Sequence, residues 1–253
     1  MQIAILSFFH YFSYMFKKRD SVFEVEEGKF LSPKFDSQGL IPVITTDSKT
    51  GEVLMHGYMN SEALKRTIET KEAQEAFKTI LRWIGENPDR EGLKETPKRV
   101  VKAFKEYFSG YHQDANKALN KTFGDVDGYD DMVLEKNISF ESHCEHHMAP
   151  IIGVIHIAYI PNKKVVGLSK LARTVEVYAK RLQTQERLNM QIAKTLMSGL
   201  EAKGVAVTID ASHQCMTMRG IKKEKAMTLT NYFLGTFKED LSLQNRYLKH
   251  IGK

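Results

Sequence analysis

MVLEKNISFESHCEHHMAPIIGVIHIAYI, residues 132–160, is the stretch whose reading decides the fold. Met132, Leu134, Ile138 and Phe140 alternate with Val133, Glu135, Asn137 and Ser139, the period of a strand with one face toward a core. That strand runs straight into Cys144-Glu145-His146-His147. Residues 151–160, IIGVIHIAYI, are an almost continuous apolar run, as expected of a strand covered on both faces. Further on, Ser169 is placed to cap a helix through about Arg181, a second helix follows through about Lys203, and Val205 to Asp210 returns as a strand ending at His213. Strands and helices that do not alternate strictly predict an α+β fold.

The two cysteines of the chain stand in Cys144-Glu145-His146-His147 and His213-Gln214-Cys215, with three of its nine histidines beside them. Zinc takes thiolate sulfur and imidazole nitrogen, and a catalytic zinc keeps three protein ligands and one open position. Cys144, His147 and Cys215 fit that pattern. A Cys-x-x-His step lets one turn offer two ligands, and the distant Cys215 ties the site to a second element. His146 and His213 are then left beside the metal, with an unperturbed pKa of about 6.5 suited to moving protons. A disulfide or two unrelated buried thiols are the plainer alternatives.

Hydrophobic content of 42% and charged content of 27% are ordinary for a globular chain of 253 residues. The formal charge of +6 suits an anionic partner, either nucleic acid or a polyphosphate metabolite, and no arginine-rich or aromatic-interleaved basic tract of the nucleic-acid-binding kind is present. Cysteines used as ligands point to a reducing compartment, here the cytoplasm. Residues 1–16 are apolar and aromatic and precede Lys17-Lys18-Arg19. They are short for a membrane span, and their charges follow the apolar run, opposite to a secretory signal. A loosely docked extension, a true start at Met15 and a membrane-surface anchor all remain open, with no stable membrane association expected.

Residues 1–39 read as extension and linker. Leu40 to Ile44 and Glu52 to Met55 read as strands of a hairpin turning around Asp47 to Gly51, and Asn60-Ser61 caps a helix marked by Leu64, Thr67 and Ile68. Its pattern continues through Phe77, Ile80, Leu81 and Ile84, so one long helix is expected to cross the segment boundary near residue 74. The stretch LIPVITTDSKTGEVLMHGYMNSEALKRTIETKEA, residues 40–73, resembles the beginning of phosphoribosyl-AMP cyclohydrolase. The metal ligands of that family lie downstream of the matching part, so the resemblance implies a fragment without that activity.

From about residue 75 the character changes. Thr96 and Pro97 open a helix with Val100, Val101, Phe104 and Phe108 on its apolar face. A polar set not needed by a core lies between and after the metal motifs: Ser169, Lys170, Arg173, Gln185, Glu186 and Arg219. Lys170 and Arg173 sit at the start of a helix, the wrong end for stability but the right one for an anion such as phosphate.

GLKETPKRV, CEHHMAPIIG, AYIPNKKVVGLSKLAR, RLQTQERL and the run His213 to Gly220 are similar to GTP cyclohydrolase I, and the resemblance covers residue 76 to the C-terminus. It implies the tunnelling fold (T-fold), in which antiparallel strands of several subunits close a barrel with helices packed on one face, assembled as a decamer of two pentamers. It also implies zinc at Cys144, His147 and Cys215, and GTP opened at the guanine imidazole ring to give formate and 7,8-dihydroneopterin triphosphate. By the same resemblance His146 and His213 transfer protons, and Glu186 reads guanine with Gln185 as a neighbouring base contact. Lys170, Arg173 and Arg219 hold the triphosphate, Ser169 lies near the ribose or phosphates, and Arg99 reaches in from a neighbouring subunit. Asn231 departs from the serine that many relatives carry. The competing readings, a bifunctional enzyme and a non-catalytic T-fold assembly protein, are disfavoured by the truncated first segment and by retention of every site residue.

Overall fold

The computed structural model describes residues 16, 21, 31–47, 50–119, 122–123 and 128–253. The N-terminal apolar run thus lies outside the described residues apart from Phe16. The chain divides into two compact units, the first ending at Val101 and the second beginning at Lys102.

In the first unit β1 (Leu40–Thr46) and β2 (Val53–Asn60) pair antiparallel, with Leu40 opposite Asn60. Asp47 holds the turn by accepting from the Thr50 amide at 2.8 Å, and Gly51 takes a φ of 74°, which glycine adopts without a Cβ penalty. Asn60 caps α1 (Ser61–Trp83) by accepting from the Ala63 amide at 2.8 Å. No Gly or Pro interrupts α1, so it passes through residue 74 as one helix. None of its residues is buried, which leaves local capping and pairs such as Glu62–Arg66 at 2.7 Å to support it. The helix opened by the Thr-Pro pair is α2 (Thr96–Tyr107).

In the second unit α3 (Ala115–Ala118) leads to β3 (Thr122–Phe123). Then come β4 (Val133–Cys144), β5 (Pro150–Ile160), β6 (Val165–Val166), α4 (Leu168–Ala179), β7 (Leu182–Gln183) and α5 (Gln185–Leu200). The chain closes with β8 (Gly204–His213), α6 (Gln214–Thr217), β9 (Thr228–Gly235), α7 (Thr236–Glu239) and α8 (Leu241–Ile251). The main sheet has the order β7-β4-β5-β8-β9, and β3 pairs separately with β6. All neighbours in the main sheet are antiparallel except β7, whose two residues run parallel to the end of β4, so the sheet is mixed.

Leu171 and Val175 of α4 and Leu188, Ile192 and Leu196 of α5 pack on one sheet face, against Ile155, Ile157, Val205, Val207 and Ile209. Each such side chain contributes roughly 1.5–3 kcal/mol relative to an exposed position. Helices are not confined to that face, contrary to the one-face packing that the resemblance implies. Phe237 of α7 and Tyr247 of α8 cover the opposite face at Ala158, Ile160 and Ala206, because β5 is apolar on both sides there. Toward its start β5 is open on one side, and Ile152 is exposed.

A bulge in β4 explains a second difference. Glu135 pairs with Ile157 and Ile138 with Ile155, so Lys136 and Asn137 together oppose His156, and Asn137 takes a φ of 61°. The extra residue reverses the facing of the strand. Met132 and Leu134 therefore pack with the C-terminal helices, whereas Ile138 and Phe140 pack under α4 and α5, and the four do not share one face. No described helix is long and apolar enough to cross a membrane.

Gly153 sits in the middle of the sheet, where an added Cβ would lie 2.2 Å from the Asp210 carbonyl oxygen and 2.6 Å from Ala211 Cα. Gly153→Ala should therefore force β5 and β8 apart and destabilise the fold by roughly 3 kcal/mol, the upper range of overpacking costs. Urea unfolding followed by circular dichroism checks this; an unchanged midpoint would refute the close-approach account.

Candidate metal centre and active site

The β4–β5 turn builds the first half of the site. The Cys144 amide donates to the Ala149 carbonyl at 2.8 Å and the Met148 amide to the Cys144 carbonyl at 2.8 Å, with Met148 at a φ of 52°. This tight reversal leaves Cys144 buried at the strand end and His147 exposed on the turn. The second half comes from β8, whose His213 pairs with Ile151 of β5, so Cys215 on α6 emerges beside the turn. The ligand atoms of Cys144, His147 and Cys215 lie within 4.8 Å of one another, and both cysteines are free thiols. Burial and the neighbouring Cys144 push the Cys215 thiol up, which a cation between the two sulfurs would reverse. Two sulfurs and one imidazole nitrogen make a donor set suited to a single borderline-soft ion such as zinc.

A third element reaches the same place. Parallel pairing sets Gln183 of β7 against Cys144, and the Glu145 amide donates to the Gln183 carbonyl at 3.0 Å. Thr184 then caps α5, and Arg187 in its first turn donates to Glu145 Oε2 at 2.7 Å, tying the ligand turn to the helix. Neither the two-residue parallel strand nor the Glu145–Arg187 pair was apparent in the sequence. Only the polar first turn of RLQTQERL hinted at them.

Around the ligands, His146 Nδ1 lies 3.8 Å from Cys144 Sγ, and His213 Nε2 lies 2.7 Å from Gln185 Oε1. Burial pushes the His213 pKa down, opposed by the nearby Glu186 carboxylate. Glu186 itself is exposed in the first turn of α5, where the helix dipole favours a negative charge. Arg219 is exposed and close enough to Cys215 to favour its thiolate electrostatically. Gln185, the expected base contact, is only 2% exposed, and its side-chain amide is engaged by Ile209, Thr228 and Thr230.

Ser169, Lys170 and Arg173 lie at the start of α4. The cap there is Gly167, so Ser169 is inside the helix instead of opening it, and the Lys170 amide bonds back to the Gly167 carbonyl at 2.8 Å. Among the described residues no hydrogen bond or ion pair ties these three to the thiol and imidazole group. Arg99 is exposed on α2, in the first unit. Asn231 accepts a cross-strand bond from the Thr208 hydroxyl at 2.6 Å, which gives the departure at that position a structural role.

The sequence pattern of the family described as GTP cyclohydrolase I matches residues 73–252. The chain belongs to the GTP cyclohydrolase I family. It is 75% identical to GTP cyclohydrolase 1 of Pelagibacter ubique over 188 residues, 74% of this chain and 93% of the relative. It is 55% identical to the Maricaulis maris protein of that name over 183 residues, 72% and 89% of the two chains. The Sinorhizobium fredii relative, also GTP cyclohydrolase 1, is 56% identical over 178 residues, 70% and 87% of the two. The family match begins at residue 73, so it leaves out the hairpin, and the phosphoribosyl-AMP cyclohydrolase resemblance of residues 40–73 gains no support from it.

Metal-free protein should take up one divalent transition ion per chain. Cys215→Ser should weaken uptake by more than the roughly 10- to 100-fold that loss of an outer partner of a ligand costs. Equilibrium dialysis with elemental analysis measures both, and equal affinity in the variant would remove Cys215 from the ligand set.

Proposed function

We propose that this chain hydrolyses GTP, opening the imidazole ring of guanine, releasing C8 as formate and forming 7,8-dihydroneopterin triphosphate. The observation that carries this reading is the convergence of Cys144, His147 and Cys215 within 4.8 Å, in a chain of this family. Bound at those residues, zinc would supply a water acidified to a pKa of about 7 as the nucleophile for C8. His146 and His213 move protons on and off the opening ring and the ribose. Glu186 accepts from guanine N1–H and the 2-amino group; adenine has neither donor there, so ATP would leave the carboxylate unmatched. Lys170, Arg173 and Arg219 neutralise the triphosphate, Ser169 lies near the ribose or phosphates, and Arg99 is supplied by a neighbouring copy.

A multi-subunit T-fold barrel, closed as a decamer of two pentamers, suits this chemistry. It is supported by the edge of β9, unpaired among the described residues, and by the exposed Ile152, Met218, Ile221, Met227 and Leu229, apolar surface that neighbouring copies would cover. Free cysteines as ligands fit the cytoplasm. Residues 40–73 contain no cysteine, consistent with a segment that adds no metal chemistry of its own.

Zinc-loaded protein incubated with GTP should release formate and yield a product that fluoresces after oxidation. His146→Ala should keep zinc and GTP bound while turnover falls about 100- to 10,000-fold. Near-normal turnover in that variant would take His146 out of proton transfer, and no formate from the unaltered chain would overturn the activity.

Glu186→Gln should weaken GTP recognition, since the amide puts an NH2 where guanine needs a second acceptor. KM for GTP should rise. Binding and turnover equal to the unaltered chain would show that another group reads the base.

A further inference from the structure

We propose that Gln185 is a positioning residue for His213, holding the imidazole by its Nε2–H so that Nδ1 is the ring atom presented to the reaction. This assignment rests on the proposed role of His213 in proton transfer.

The orientation of the amide follows from its surroundings. Gln185 Nε2 lies 3.1 Å from the Ile209 carbonyl oxygen, 2.9 Å from that of Thr228 and 3.1 Å from Thr230 Oγ1. Carbonyl oxygens only accept, so the end of the amide facing two of them is the NH2. Turned the other way, a third carbonyl oxygen would face those two with no hydrogen between them. The Oε1 end is therefore aimed at His213 Nε2, 2.7 Å away. That oxygen carries no proton, so Nε2 must. In a neutral ring the lone pair is then on Nδ1, and among the described residues nothing hydrogen-bonds that atom.

This arrangement has a mechanical consequence. The bond to Gln185 uses the Nε2–H alone and makes no demand on Nδ1. The ring can thus act through Nδ1 without turning and without losing its partner. A neutral amide also fixes the tautomer without the negative charge by which a carboxylate favours the imidazolium. Gln185 is in turn held by both strands it touches, since Ile209 is on β8 and Thr228 and Thr230 on β9. Asn189, one turn along α5, donates to the Thr230 carbonyl at 2.9 Å and to its hydroxyl at 3.1 Å, so the threonine that receives Gln185 is held from a second side.

The test is a double-mutant cycle on zinc-loaded full-length protein, with formate release as the signal. Gln185→Met should lower kcat roughly 10- to 100-fold, as loss of a partner that orients a functional imidazole does, with KM for GTP little changed. In a His213→Ala background the same substitution should cost nothing further, because no ring remains to be positioned. An equal loss in both backgrounds marks a structural role and overturns the inference, as does an unchanged kcat in Gln185→Met or full turnover in His213→Ala. Absence of formate from the unaltered chain would instead refute the proposed activity. The tautomer has its own readout, the nitrogen spectrum of 15N-histidine-labelled, unaltered protein, assigned by the signal missing from His213→Ala. A protonated Nε2 and a bare Nδ1 support the assignment; a bare Nε2 overturns it whatever the kinetics or the folding of Gln185→Met.

Discussion

The pairing of β5 with β8 is the constraint from which the site follows. Ile151 opposes His213 at one end and Ile160 opposes Gly204 at the other, and between them Ile155 faces Ile209 and Ile157 faces Val207 on the side covered by α4 and α5. A slip of one residue would turn His213 to the opposite face and carry Cys215 about 3.3 Å along the strand. It would also exchange Ile209 and Val207 for Thr208 and Ala206 under the helices. The apolar face therefore enforces the register, and the register places the second thiol beside the first. Gly153 belongs to the same constraint, because the strands approach at that pair closer than a side chain allows.

The candidate ligand set was legible in the sequence because its two motifs are short and chemically unusual, and the structure gathers the three residues named from them. The strands were legible from their period, and α1 from the absence of any breaker. What escaped is what period cannot encode. In β4 the apolar positions 132, 134, 138 and 140 look like one uninterrupted face, yet Lys136 and Asn137 share a single partner and the two halves face opposite ways. The short parallel β7 has too few residues to carry a pattern. Ser169 resembles a cap, but the chain enters α4 at Gly167, one step before the first helical residue.

Polar side chains inside the second unit are mostly accounted for, and they lace its layers together. Tyr247 of α8 donates to the His156 carbonyl at 3.1 Å, while His156 Nδ1 accepts from the Asn137 amide at 3.3 Å within the bulge. Burial pushes the His156 pKa down, which favours the neutral ring able to accept that bond. The bulge, the C-terminal helix and the centre of β5 are thus coupled through one histidine. Glu135, just before the bulge, has a buried oxygen without a partner among the described residues, and burial pushes its pKa up.

The two histidines beside the ligands differ in what surrounds them, and the difference separates their proposed tasks. His213 is half-buried, with its Nε2 committed to Gln185 and its pKa lowered by burial. His146 is exposed on the ligand turn, its Nε2 4.0 Å from Glu145 Oε1, and that carboxylate is itself held by Arg187. A ring in contact with solvent exchanges protons with water directly, whereas burial disfavours the charged form of a partly desolvated ring, which favours handing a proton on to a nearby group. On the proposed reaction His213 would act inside the site, where Gln185 holds its ring, and His146 would act at the solvent-facing side of the ligand turn.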